Sequence, residues 1–305
     1  MWFYGSQSLL GSGTIEFADD TPYNRLFLNG QGYGATLTVG PKLTLHGRGS
    51  ITGYNVSDRL INQGTIMADV TGQTLTVSFT KWTNGGVLKA RNGGTLYLGG
   101  EFNQQGKSAF DSNGGTIQIA GTLDNTGSTM DLNVGADALM LTGTIKSGTV
   151  TNSGGGGLLT PSGTLDGVTL ISDLTIPNGA VLTIRNGLTI NGTLTLGSSN
   201  AWTELHFMGT QGLLGTGQVV LGKTGPYNRI CSRGDGGSNP ATLTIGPGIT
   251  IQTSLGGFLG NYQGNDSQVN QRTIVAEGSE TSLTINGLAW VNSRAIACSC
   301  NLIGR

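Results

Sequence analysis

The residues able to do chemistry are few and scattered. Among 305 residues the chain has 17 acidic, 16 basic, 2 His and 3 Cys. Asp19-Asp20 is the one adjacent acidic pair. Glycoside or polysaccharide cleavage would need such carboxylates to meet a second acid or a base in one groove. Its counterpart in a second copy of the surrounding sequence is Lys223-Thr224, so the pair reads as a solvated corner. His46 and His206 stand alone in the sequence. GDGGSN (234–239) is similar to a single calcium-binding Gly-Gly-x-Gly-x-Asp nonapeptide, a chemistry that needs tandem copies. No Gly-x-Ser-x-Gly elbow and no P-loop occurs. Cys231, Cys298 and Cys300 are an odd set without framework spacing. Cys298 and Cys300 would share one face of a strand, which disfavours a bridge between them. The expectation is a chain that is not an enzyme, with no metal site and no cofactor.

The one polar motif that recurs is Pro-Tyr-Asn-Arg. It places Tyr23, Asn24 and Arg25 against Tyr227, Asn228 and Arg229, at an offset of 204. Tyr and Arg at a repeated corner could stack on and hydrogen-bond to a sugar, giving a multivalent glycan contact. The structural alternative is that Tyr packs over corner glycines and Arg staples a loop. The flanks favour structure. GSQSLLGSGTI (5–15) faces GTQGLLGTGQV (209–219) at the same offset. ATLTVGP (35–41) faces ATLTIGP (241–247) at 206, and Trp82 faces Trp290 at 208. The motif is therefore a corner of a long repeat with two small insertions. Residues 1–204 form a first unit and 205–305 a partial second unit of one continuous solenoid. Asn24 and Asn228, like Asn84 and Asn292, are expected to stack as amide ladders.

A shorter period lies inside the long one. Val168-Thr-Leu170, Leu174-Thr-Ile176, Leu182-Thr-Ile184, Leu188-Thr-Ile190 and Leu194-Thr-Leu196 alternate apolar and polar, the signal of a half-buried strand. Asn-Gly and Asp-Gly between them supply positive φ and end each strand. Such short strands are poor hairpin arms, but each can be one wall of a coil that pairs with the coils above and below. The spacing predicts an all-β, parallel β-solenoid with coils of about 18–24 residues and no significant helix. Composition agrees: 54 Gly, far above the usual ~7%, and 11% charged residues, below half the usual ~25%. The formal net charge of −1 provides no field to draw in nucleic acid. No run of eighteen apolar residues is present, so no membrane insertion is expected. Met1 is followed by no basic region or cleavage site and aligns with the middle of a repeat. That suggests a piece of a longer polypeptide, or a mature form.

LINQGTIMADVTGQTLTV (60–77), NGGVLKARNGGTLYLGG (84–100) and LTIPNGAVLTIRNGLTINGTLTLG (174–197) resemble repeat-rich bacterial extracellular proteins. The likeness is to β-helical autotransporter passengers and filamentous-haemagglutinin-like adhesins. It implies export, a right-handed parallel β-helix and a structural role at the cell surface, in a filament, a matrix or an adhesin. No catalytic residue carries over. The C-terminal NSRAIACSCNLIGR departs from the repeat, lacking the Gly corners of its counterpart. Solenoid ends are open strand edges that template pairing. The expected partner is a second copy of the chain, stacked head to tail. Trp2, Phe3 and Tyr4 would lie at one docking face, and Trp290, Ile296 and Ile303 at the other. The alternative is a carbohydrate-binding or polysaccharide-degrading module.

Overall fold

A computed structural model describes residues 1–18, 23–106, 109–132, 139–152, 158–222, 227–235, 239–253, 255–262, 264–277, 282–293, 296–298 and 303–304. Among the described residues it contains no helix; it has 61% strand and about 11 turns of stacked parallel coils, a β-solenoid as the alternation predicts. Two compact units result, one built mainly from Met1–Asn125 and the other mainly from Leu158–Arg305.

In the first unit each coil has three walls. The first wall begins with Trp2–Tyr4, Arg25–Asn29 and Gly49–Gly53. The second begins with Gln7–Leu9, Thr36–Val39 and Arg59–Asn62. The third holds Ser12–Phe17, Lys42–Gly47, Thr65–Ala68, Val87–Ala90 and Ala109–Asp111. The long strands Thr74–Asn84 and Thr95–Gln104 bend from the first wall into the second. Period-two alternation sends every second residue inward. Leu26, Ile51, Val77, Leu98, Ile119 and Leu141 pair one to the next as a fully buried aliphatic column. On the second wall Leu37, Leu60, Trp82, Phe102 and Leu123 do the same, with the Trp82 and Phe102 rings stacked 4.5 Å apart. No single coil buries such a row; its apolar area leaves water only when neighbours stack.

The second unit repeats this plan. Its third wall holds Leu174–Ile176, Thr193–Leu196, Gln218–Leu221, Thr250–Thr253, Ile274–Ala276 and Ile296–Cys298. The regular stretches keep to the predicted coil length, as where Thr164 pairs with Thr183 and Arg59 with Lys81. Longer coils occur where loops bulge, as where Gln211 pairs with Leu243.

The sequence repeat is a structural repeat. Strands Trp2–Tyr4, Gln7–Leu9, Arg25–Asn29 and Arg59–Asn62 recur as Thr203–Met208, Gln211–Gly215, Asn228–Arg233 and Ser267–Asn270. The C-terminal segment, although its sequence departs from the repeat, keeps the register. Ile296–Cys298 and Ile303–Gly304 fall where Val87–Ala90 and Thr95–Gln104 lie in the first copy.

Two polar devices recur with the repeat. Asn62 Nδ2 donates to Asn84 Oδ1 at 2.7 Å, and Asn270 Nδ2 donates to Asn292 Oδ1 at the same distance. This is the amide ladder expected for Asn84 and Asn292. Asn84→Ala leaves one N–H of the buried Asn62 amide without an acceptor, the other still reaching the Gly64 carbonyl at 3.3 Å, and should cost about 2 kcal/mol, read as a lower denaturant midpoint at unchanged slope. The second device rests on Asp58 and Asp266, which share the offset of the matched tryptophans but stand among Gly, Asn and Ser, where a carboxylate reads as solvated. Asp58 is fully buried, and its Oδ1 accepts from the Gly30 and Ala35 N–H groups at 3.1 and 3.0 Å. Its Oδ2 accepts from the Tyr54 and Asn55 N–H groups at 3.1 and 2.8 Å. Asp266, at the matching position, accepts from the Gly234 and Ala241 N–H groups.

Candidate functional site

The strand edges at the two ends expected to dock are the first candidate. Trp2–Tyr4, Gln7–Leu9 and Ser12–Phe17 each pair along one edge, with Arg25–Asn29, Thr36–Val39 and Lys42–Gly47. Their other edges carry no strand among the described residues. Trp290–Asn292, Ile296–Cys298 and Ile303–Gly304 pair only with Ser267–Asn270, Ile274–Ala276 and Leu283–Ile285 among the described residues. Trp2 and Tyr4 point outward and are more than half exposed, while Phe3 turns inward and is buried. Trp2 packs edge-on against Phe27, and Phe27 against Tyr54. Trp290 and Ile296 are half-buried. The side chain of Ile303 lies outside the described residues.

The repeated corner is the second candidate, and its two copies differ. Tyr23 and Arg25 are exposed and Asn24 is half-buried. Asn228 is fully buried and accepts from the Ser198 N–H at 3.2 Å. Tyr227 packs edge-on against Trp202. Arg229 lies 4.1 Å from the centre of the Trp202 ring and 5.3 Å from that of Phe258. Its Nη1 donates to Glu204 Oε1 at 3.1 Å. In the second copy, Arg therefore staples neighbouring coils. Pro22, Pro226 and the Asp19-Asp20 pair lie outside the described residues.

Beside that corner is a cluster with no equivalent in the first copy. The Glu204 carboxylate reaches both Arg229 and His206 Nε2. Arg233 Nη1 lies 3.3 Å from His206 Nδ1, and its guanidinium covers Tyr262 at 4.4 Å. Burial lowers the proton affinity of His206, Glu204 opposes that, and the two arginines reinforce it. A neutral ring protonated at Nε2 faces the Glu204 carboxylate there and accepts at Nδ1 from Arg233. Cys231 is buried beside them, and burial pushes its thiol far above its ordinary range, so it stays protonated. Glu204 balances one of the two guanidiniums, and the cluster ties neighbouring coils together. The sequence names His206 and Arg229 separately and does not bring them together, because Glu204 and His206 stand a full coil away from Arg229 and Arg233.

The remaining isolated groups are also occupied. His46 Nδ1 contacts Asp69 at 3.1 Å. Asp235, from the GDGGSN stretch, accepts from the Asn239 backbone and side chain. Cys300 and the side chain of Cys298 lie outside the described residues. Among the described residues no group of three or more His, Cys, Asp or Glu gathers to hold a metal ion. No helix among them is long and apolar enough to cross a membrane.

These features define a β-solenoid of stacked parallel coils with a long internal repeat. No family model, no curated protein and no solved structure matches the chain.

Proposed function

We propose that this chain is a structural β-solenoid that works by coil-on-coil stacking, as a segment of an extracellular filament, matrix or surface adhesin. One observation carries the reading: every open strand edge at the docking faces has a counterpart in the other copy of the repeat that is paired. Trp2–Tyr4 and Gln7–Leu9 correspond to Thr203–Met208 and Gln211–Gly215, which Val181–Ile190 covers. Ser12–Phe17 corresponds to Gln218–Leu221, which Thr193–Leu196 covers. At the other face, Trp290–Asn292, Ile296–Cys298 and Ile303–Gly304 correspond to segments covered by Thr95–Gln104, Ala109–Asp111 and Thr116–Ile119. These edges are thus of a kind the fold pairs on both sides.

Parallel pairing also fixes polarity. The two edges of a parallel strand are not equivalent, so the face at Trp2 complements the face at Trp290 and not itself. Such head-to-tail contacts give a filament where the rotation between copies does not close into a ring. The extracellular setting rests on the resemblance of the repeats to exported adhesins.

Sedimentation velocity across a concentration series tests the stacking. The expected sedimentation coefficient rises without reaching a plateau. Leu9 heads the inward column Leu9–Val39–Asn62 at the open end. Leu9→Lys would force a charge inside the stack, the device that natural edge strands use against pairing. That variant should sediment as a monomer with its melting transition retained. A wild-type chain that stays monomeric throughout overturns the proposal.

A further inference from the structure

The second wall of the first unit carries a groove of about 330 Å³ that plays no part in stacking. Its side chains come from successive coils in register. Thr36, Arg59, Lys81 and Glu101 form one outward row; Ile61, Thr83, Asn103 and Asp124 form the next. Lys81 Nζ and Glu101 Oε2 stand 3.3 Å apart, each side chain 40% exposed or more. Arg59 is held over the wall by its bonds to the Val56 and Asp58 carbonyls.

Two independent observations set this groove apart from an ordinary outer face. First, the fold does not require its residues. The second copy builds the same wall, with the same amide ladder and Trp290 in place of Trp82. Where the first copy has Arg59, Lys81 and Thr83, the second has Ser267, Ala289 and Val291. The charged and hydroxyl groups are an addition to a scaffold that stands without them. Second, Asn103, which lines the groove, has its Oδ1 buried with no hydrogen-bond partner. That oxygen has no partner within the protein, so it accepts from whatever enters the groove, water included.

We infer that this groove binds a short, extended, neutral oligosaccharide. Two cations and two carboxylates balance, which disfavours a polyanion or polycation. Along one row the donors Arg59 and Lys81 are followed by the acceptor Glu101, and along the next Thr83 and Asn103 are followed by the acceptor Asp124, each step at the strand spacing of about 4.8 Å; such groups can meet the hydroxyls of a sugar chain laid across the coils. The volume lies at the lower end of the ~300–1,000 Å³ of small-molecule sites. The groove lies away from the repeated Tyr-Asn-Arg corner, so glycan contact is placed on a different surface from the one the repeated motif suggests.

Isothermal titration with cellotetraose, chitotetraose and maltotetraose, and with a sulfated heparin tetrasaccharide for comparison, tests the inference. At least one neutral tetrasaccharide should bind, and more tightly than the sulfated one. The double variant R59S/K81A installs the residues of the second copy, so its melting transition should be retained. It loses charge-assisted hydrogen bonds to the ligand, so its affinity should fall by about tenfold or more. Failure of all three neutral sugars to bind, preference for the sulfated one, or undiminished affinity in the variant overturns the inference. Sedimentation of the variant should match the parent, which separates this outcome from that of the stacking test.

Discussion

Asp58→Asn lowers the stability of the first unit by about 3–5 kcal/mol. The buried carboxylate accepts from four backbone N–H groups, two on each oxygen. It closes the loop from Gly30 to Ala35 against the turn at Tyr54 and Asn55. An amide presents one oxygen and one NH₂ group. Whichever way it turns, two backbone donors face a donor, and each buried, unmatched donor costs roughly 1–3 kcal/mol. The change is close to isosteric, so packing contributes little. Thermal melting should fall by roughly 10 °C, and hydrogen exchange should quicken at residues 30–35 and 54–58 before it does elsewhere. Asp266→Asn should act in the same direction in the second copy. A melting point unchanged by D58N would show that the carboxylate does not hold these loops.

Gly121→Ala should be at least as damaging, for a different reason. Gly100, Gly121 and Gly143 follow one another in successive coils of the first unit. A methyl group on Gly100 would overlap the Phe79 carbonyl oxygen, one on Gly121 that of Gly100, and one on Gly143 that of Gly121. The obstacle in each case is backbone, which no rotamer change relieves. The coils would have to part where Thr95–Gln104 pairs with Thr122–Asp124. A loss above about 3 kcal/mol is expected, seen as a lower melting point or loss of soluble protein. Gly106 is the control: its φ is +64°, and an added methyl would meet nothing within 4 Å. Gly106→Ala should cost only the left-handed backbone penalty of about 1 kcal/mol. Equal effects of the two changes would refute the column account.

What could be read in advance follows from which forces are periodic. Apolar-Thr-apolar triplets repeat at the strand period, so walls, inward columns and the absence of helix were legible. The pairing of Asn84 and Asn292 was legible because both stand at the same offset as their matched tryptophans. Asp58 and Asp266 share that offset but sit among Gly, Asn and Ser, where a carboxylate reads as a solvated corner. Only the closed loops around them show that they are buried. Glu204, Arg229 and Arg233 meet because Thr203–Met208 pairs with Asn228–Arg233. Arg59, Lys81 and Glu101 line up in the same way, because Thr74–Asn84 pairs with Arg59–Asn62 on one side and Thr95–Gln104 on the other. Once the coil length is known, such sites can be sought among charged residues one coil apart. Coil length itself varies with loop insertions, so the sequence alone aligns them poorly.

Fibre diffraction from concentrated, aligned protein reads out whether open coil edges join end to end. Stacked coils place strands across the fibre axis, so a sharp meridional reflection near 4.8 Å is expected, at about the spacing of neighbouring strands, weakened in Leu9→Lys. Protein that forms no ordered fibres at any concentration, or fibres whose strand-spacing reflection lies on the equator, would contradict end-to-end stacking.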